Sequence, residues 1–85
     1  MYAVQLTPGA ARFFEEAQGP LQKTLDRCFL QLASEPHRHP NIKVLAGRYR
    51  GLLRYRVGDW RVVYQIREPS EVIVMDIAHR SEVYE

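Results

Sequence analysis

RYRGLLRYRVGDWRVVYQIR, residues 48–67, alternates apolar and basic side chains on both sides of Gly58-Asp59. Leu53, Tyr55 and Val57 fall on one side of an extended chain, and Arg54 and Arg56 on the other. After the glycine, Trp60, Val62, Tyr64 and Ile66 alternate with Arg61, Val63, Gln65 and Arg67. A period of two is the signature of a half-buried strand. Gly58-Asp59 fits a two-residue hairpin turn, because glycine supplies the positive φ such turns require. The stretch therefore predicts a β-hairpin with one apolar face and one arginine face.

The rest of the chain supplies a cover for the apolar face. Downstream, Glu68-Pro69-Ser70 reads as a turn. Val72 to Ala78 is a further strand, apolar on both faces apart from Asp76, so it is expected inside the sheet. Its alternation is read with Ile73, Met75 and Ile77 toward the cover. Upstream, the loop EPHRHPN (Glu35 to Asn41) precedes the change to period two at Val44. Before it, Leu21, Leu25, Cys28, Phe29 and Leu32 form one helical stripe. Gly19-Pro20 separates that helix from an earlier one carrying Ala10, Phe13, Phe14 and Ala17. Thr7-Pro8 suits a helix start: Thr accepts from free N–H groups, and Pro lacks the N–H that would go unpaired there. Tyr2 to Leu6 alternates as a short strand. The predicted order is β-α-α-β-β-β, an α+β fold. Its mostly antiparallel twisted sheet carries a helical hairpin on one face, in a single domain over residues 1–85.

The arginines must then occupy the uncovered face, since burying unpaired guanidinium groups costs several kcal/mol each, about 3–5 kcal/mol for a broken buried pair. The chain's net charge is only +2, but residues 43–67 hold seven basic residues and one acid, Asp59. That segment carries +6 and the remainder −4. Scattered surface charge is the plain alternative. A purely structural face would mix signs across strands, because like charges directly opposite are unfavourable. The imbalance favours an anionic partner. One cysteine, Cys28, excludes an internal disulfide and agrees with a reducing compartment. The opening residues show no secretory pattern, and no window reaches the ~18 apolar residues of a membrane span. A cytoplasmic protein without membrane contact is expected.

Metal and cofactor signals are weak. His37 and His39 are two apart in a proline-bounded loop, and His79 is remote from both. There is no glycine-rich phosphate loop, and a triad of Ser81, His79 and Asp76 has nothing to place it. No metal and no cofactor is expected. The closing AHRSEVYE is more informative. Arg80 shares parity with Asp76 and Ala78, which puts it on the arginine face, and Tyr84 follows. Positive surroundings stabilise phenolate and lower a tyrosine's pKa from ~10. That combination suits RNA cleavage without a metal. A 2′-OH attacks the adjacent phosphorus, arginine forks match the phosphate oxygens, and a base takes the hydroxyl proton. Arginine, with a pKa above about 12, is no base, so Tyr84 or His79 must serve.

The helix pair, RYRVGDWRVVYQI (Arg54 to Ile66) and HRSEVY (His79 to Tyr84) resemble the RelE/ParE superfamily of bacterial toxins across essentially the whole chain. HRSEVY favours the RelE branch. The resemblance implies the toxin of a type II toxin–antitoxin pair: a ribosome-dependent messenger-RNA endonuclease that enters the A site and inhibits translation. Its partners would be a cognate antitoxin, the ribosome and messenger RNA. Operator DNA would be met only through the toxin–antitoxin complex, which represses its own operon. Residue by residue, the resemblance implies catalytic roles for Arg54, Arg61, Arg80 and Tyr84, with RNA binding by Lys43, Arg48, Arg50 and Arg56 and His79 as an alternative acid or base. Arg54 replaces a family lysine, and Leu52 stands where a second lysine is usual. Two other readings stay open: a ParE-like inhibitor of DNA gyrase, and a catalytically degenerate toxin retained for operon repression.

Overall fold

The computed structural model describes residues 1–82. Among them are two helices and a five-stranded sheet, in the order β1 (Ala3–Leu6), α1 (Pro8–Glu16), α2 (Gly19–Ser34), β2 (Ile42–Val44), β3 (Leu53–Val57), β4 (Trp60–Arg67) and β5 (Glu71–His79). The strands lie side by side as β1-β5-β4-β3-β2. Only β1–β5 is parallel. Single 3₁₀ turns follow β2 (Gly47–Tyr49) and β5 (Arg80–Glu82).

Local chemistry accounts for most boundaries. Thr7 caps α1 by accepting from the Ala10 N–H at 3.3 Å, and Pro8 opens the helix. Pro20 lies in the first turn of α2. Val57 pairs with Trp60 across Gly58-Asp59, and Gly58 has φ +58°. Among the described residues every non-glycine keeps negative φ, Asp59 included, so the turn has the II′ pattern, with glycine at the first central position.

The helix pair covers one sheet face. Leu25, Cys28 and Leu32 of α2 meet Tyr55, Val57, Val62, Tyr64, Val72, Val74 and Ile77 in one core. Fully burying each large aliphatic contributes about 1.5–3 kcal/mol. Burial pushes the Cys28 thiol up to about 12, which leaves it an inert packing group. Tyr64, also buried, donates its hydroxyl to the Pro36 carbonyl at 2.6 Å and so ties the α2–β2 loop to the core.

Three expectations are corrected. The chain forms an additional short edge strand, β2, because Ile42 to Val44 pair with Leu53 to Tyr55. Ile73 and Met75 do not face the helices; Val72 and Val74 do. The register runs Val63↔Asp76 and then Tyr64↔Val74, so Met75 is an extra, bulged residue. A bulge changes the side on which every residue beyond it falls. Ile77, past the bulge, faces the helices as expected. Finally, the arginine face is not uniformly open. Arg56 is exposed, but Arg54 is 9% and Arg61 8% exposed.

Candidate nucleic-acid interface

Cross-strand register sets the order of charges on the face away from the helices. Lys43 lies opposite Arg54, Arg54 opposite Val63, and Val63 opposite Asp76. In the next row Arg56 lies opposite Arg61, and Arg61 opposite Ala78. Buried Val63 and Ala78 form an apolar floor between the cations. Arg54 and Arg61 are diagonal neighbours on adjacent strands, about 7–8 Å apart by sheet geometry.

Both buried guanidinium groups are held by main-chain oxygens. Arg54 donates through Nη1 to the Asn41 carbonyl at 2.7 Å, and the same oxygen accepts the Arg56 N–H at 2.9 Å. Arg61 folds back over its own turn, donating through Nη1 to the Gly58 carbonyl at 3.0 Å and to that of Trp60 at 3.1 Å. These bonds offset the desolvation that made burial look prohibitive. They also restrict the rotamers of two long side chains, so less order is lost when an anion binds.

Arg80 leaves the end of β5 beside the hairpin turn. Its N–H donates to the Asp59 carbonyl at 2.8 Å, and its Nε lies 3.8 Å from the Asp59 carboxylate. Both side chains are well exposed, so this ion pair adds little and can open toward a ligand. Arg61 and Arg80 thus flank one turn. Lys43 is exposed on edge strand β2, and Arg48 and Arg50 are exposed on the 3₁₀ turn that follows it. Leu52 is half-buried just before β3.

His79 is not brought to the arginine face. It pairs opposite Trp60, whose ring meets that of His79 edge-on at 5.5 Å and that of Phe13 at 5.2 Å. Its Nδ1 lies 3.0 Å from the Ser81 hydroxyl. Asp76 lies in the Arg54 row, on the other face. Tyr84 lies outside the described residues. Among the described residues no cluster of three or more His, Cys, Asp or Glu side chains could hold a metal ion, and no helix is long and apolar enough to cross a membrane.

Asn41 and Asp59 are the contributors that residue types did not announce. Asn41 reads only as a loop residue in sequence, and the group it supplies is a main-chain carbonyl, which any residue carries. Asp59 had a partial signal, as the lone acid in a basic segment.

The family model for the ParE toxin of the type II toxin–antitoxin system parDE matches residues 4–84. Among solved structures, the RelBE2 toxin–antitoxin complex from Mycobacterium tuberculosis is similar at 26% identity and TM-score 0.80, over 93% of this chain and 98% of that one. The archaeal RelE–RelB complex from Pyrococcus horikoshii is similar at 19% identity and TM-score 0.80, over 96% and 98%. The YoeB/ParE toxin from Agrobacterium tumefaciens shares the fold at 14% identity and TM-score 0.81, over 93% and 98%. Among curated protein sequences none matches. With the family model spanning nearly the whole chain and RelE-type structures superposing along it, the chain belongs to the ParE toxin family of type II toxin–antitoxin systems, within the RelE/ParE superfamily.

Proposed function

We propose that this toxin is a ribosome-dependent messenger-RNA endonuclease that stops translation. The observation that carries the reading is the pair Arg54 and Arg61, adjacent on one sheet face and fixed by carbonyls, with Arg80 beside the same turn. A phosphodiester in transition to a cyclic phosphate gathers charge on its non-bridging oxygens, and preorganised donors act most strongly there. In the proposed reaction the 2′-oxygen bonds to phosphorus and the bond to the 5′-oxygen breaks. The leaving 5′-oxygen takes a proton from solvent water, and the products are a 2′,3′-cyclic phosphate and a 5′-hydroxyl. Arg61 and Arg80 hold the phosphate oxygens, Arg54 extends the contact, and Tyr84 takes the 2′-OH proton. His79, on the other sheet face, is the poorer base on position. Lys43, Arg48, Arg50 and Arg56 bind RNA around the cleaved bond. The ribosome positions the messenger, a cognate antitoxin restrains the toxin, and the two together bind operator DNA. The place of work is the cytoplasm.

A gyrase inhibitor is the second reading, favoured by a family model described for parDE. Induced expression in a bacterial host, with Arg61→Ala as control, separates the two. New messenger 5′ ends in register with codons, absent in the control, are the expected result. Growth arrest with intact messages and gyrase-bound DNA breaks would overturn the endonuclease reading.

A further inference from the structure

The turn between β2 and β3 reads GRYRG, Gly47 to Gly51. It is bonded to itself. Leu45 donates to the Leu52 carbonyl at 3.0 Å, Tyr49 to Ala46 at 3.3 Å, Arg50 to Gly47 at 3.1 Å and Leu52 to Tyr49 at 3.0 Å. Gly47 (φ +66°) and Gly51 (φ +94°) bracket it in the left-handed region, where a side chain would be strained. The result is a preformed knuckle at the β2 edge of the sheet. It presents Arg48 and Arg50, both exposed, around a half-buried Tyr49. Ala46, Gly47, Arg48 and Tyr49 line an open pocket of about 470 Å³. That lies within the about 300–1,000 Å³ range of small-ligand sites.

The charge around it is of one sign. No acidic residue occurs between Glu35 and Asp59, a run that holds six cations. Among the described residues, the side chains of Arg48 and Arg50 take part in no ion pair or hydrogen bond. An aromatic ring flanked by two guanidinium groups matches one nucleotide of a single strand. The base stacks on the ring, and the phosphates on either side meet the cations. Arg50 and Arg54 are four positions apart along the chain, so at most roughly 13 Å separates them at about 3.3 Å per residue. The knuckle is thus a short step along a strand from the proposed cleavage face, yet distinct from it.

We propose that the GRYRG turn is a second, non-cleaving site that takes one unpaired RNA nucleotide, with its base on Tyr49 and its flanking phosphates on Arg48 and Arg50. The proposal rests on the endonuclease reading for its biological setting, but its first test does not require cleavage. The whole chain is titrated with a 2′-O-methyl oligonucleotide of about six nucleotides, which cannot be cut, over a series of salt concentrations. Losing two phosphate contacts in Arg48→Ala/Arg50→Ala should weaken binding and reduce the slope of log K against log salt by about 1.4, at about 0.7 per contact for a single strand. Tyr49→Leu should weaken binding about 10-fold with the slope unchanged, while Tyr49→Phe keeps it. Equal thermal midpoints establish that the variants fold. If affinity and slope match the parent in all three variants, the proposal is overturned even where Arg61→Ala abolishes cleavage. If the variants lose affinity while cells show intact messages, the nucleotide site stands and the endonuclease reading falls. Binding to ribosomes with and without messenger then identifies the source of the nucleotide. Loss in both arms marks ribosomal RNA, and loss only with messenger marks the message; no loss in either arm overturns the site on the ribosome.

Discussion

The two ends of β4 handle charge in opposite ways. At the Gly58 end, Arg54, Arg56 and Arg61 share a face, and Arg56 and Arg61 oppose each other directly. At the Glu68 end, the charges interlock. His37 lies 3.2 Å from the Glu35 carboxylate through Nδ1 and 2.8 Å from that of Glu68 through Nε2. Tyr2 donates to the other Glu68 oxygen at 2.8 Å, and its ring meets that of His37 edge-on. This cluster joins the start of the chain, the α2–β2 loop and the β4–β5 turn. Signs alternate there and the groups satisfy one another, as expected of a fastening. Like charges side by side gain nothing from each other, and on the proposed reading it is an RNA phosphate that they serve.

If that contrast is right, variants at the two ends should fail in different assays. Arg61→Ala should lower cleavage on programmed ribosomes by about 100-fold or more, the scale of removing one preorganised donor at a developing anion. Arg61→Lys should recover only part of it, since a point charge lacks the fork. Full recovery in the lysine variant would break the comparison, reducing the face to simple positive potential. Tyr64→Phe, toward the other end of the strand, should act on stability instead. It removes the donor to the Pro36 carbonyl and should cost about 1–2 kcal/mol in urea unfolding, with cleavage at saturating ribosomes unchanged.

His37→Gln should have the smallest effect, visible mainly as pH dependence. Hydrogen bonding to Glu68 raises the His37 pKa above its ordinary 6.5. Its stabilisation is therefore complete below that value and fades as pH rises through the raised one. Bonds from His37 lower the Glu35 pKa, and bonds from Tyr2 and His37 lower that of Glu68, both from 4.5. Their contributions hold above that value and fade as pH falls through the lowered ones. The cluster is strongest between these ranges. Thermal midpoints of the parent, taken from about pH 5.5 to about pH 8.5, should decline relative to those of the variant across the histidine range. Parallel curves would show that His37 is not part of a fastening.

Much of this was readable from residues because it is local. Alternation in residues 53–67, the glycine turn, the α2 stripe and the Thr7-Pro8 start depend on neighbours a few positions away. Interactions between distant segments were not readable. Strand β2 has three residues, too few for a pattern, and exists because Leu53 to Tyr55 offer an edge. The burial of Arg54 and Arg61 depends on carbonyls of Asn41, Gly58 and Trp60, and nothing in a residue's name says where its oxygen points. The basic character of the candidate face was legible as composition, and the shared side of Arg54, Arg56 and Arg61 as alternation about the turn. Arg80 is read by parity with Ala78; the structure keeps Ala78 opposite Arg61 and sets Arg80 in the 3₁₀ turn after the strand, bonded to Asp59. The face assigned to Ile73 and Met75 did not follow, because strict alternation cannot reveal an inserted residue.

That inserted residue, Met75, has a consequence for how the chain tolerates change in length. Up to Val74, even-numbered residues of β5 face the helices; from Asp76 onward, odd-numbered ones do. Deleting Met75 would close the bulge: Val74 and Asp76 would become neighbours, still opposite Tyr64 and Val63, and every downstream residue would keep its side. Deleting Ile77 instead, with the bulge kept, would turn Ala78 toward the core and out of its place opposite Arg61, with Arg80 carried on the wrong phase. Substitutions along β5 can be absorbed one at a time. A single-residue deletion beyond the bulge would disassemble the arginine face without touching an arginine, so among related chains this strand should change in count only at the bulge.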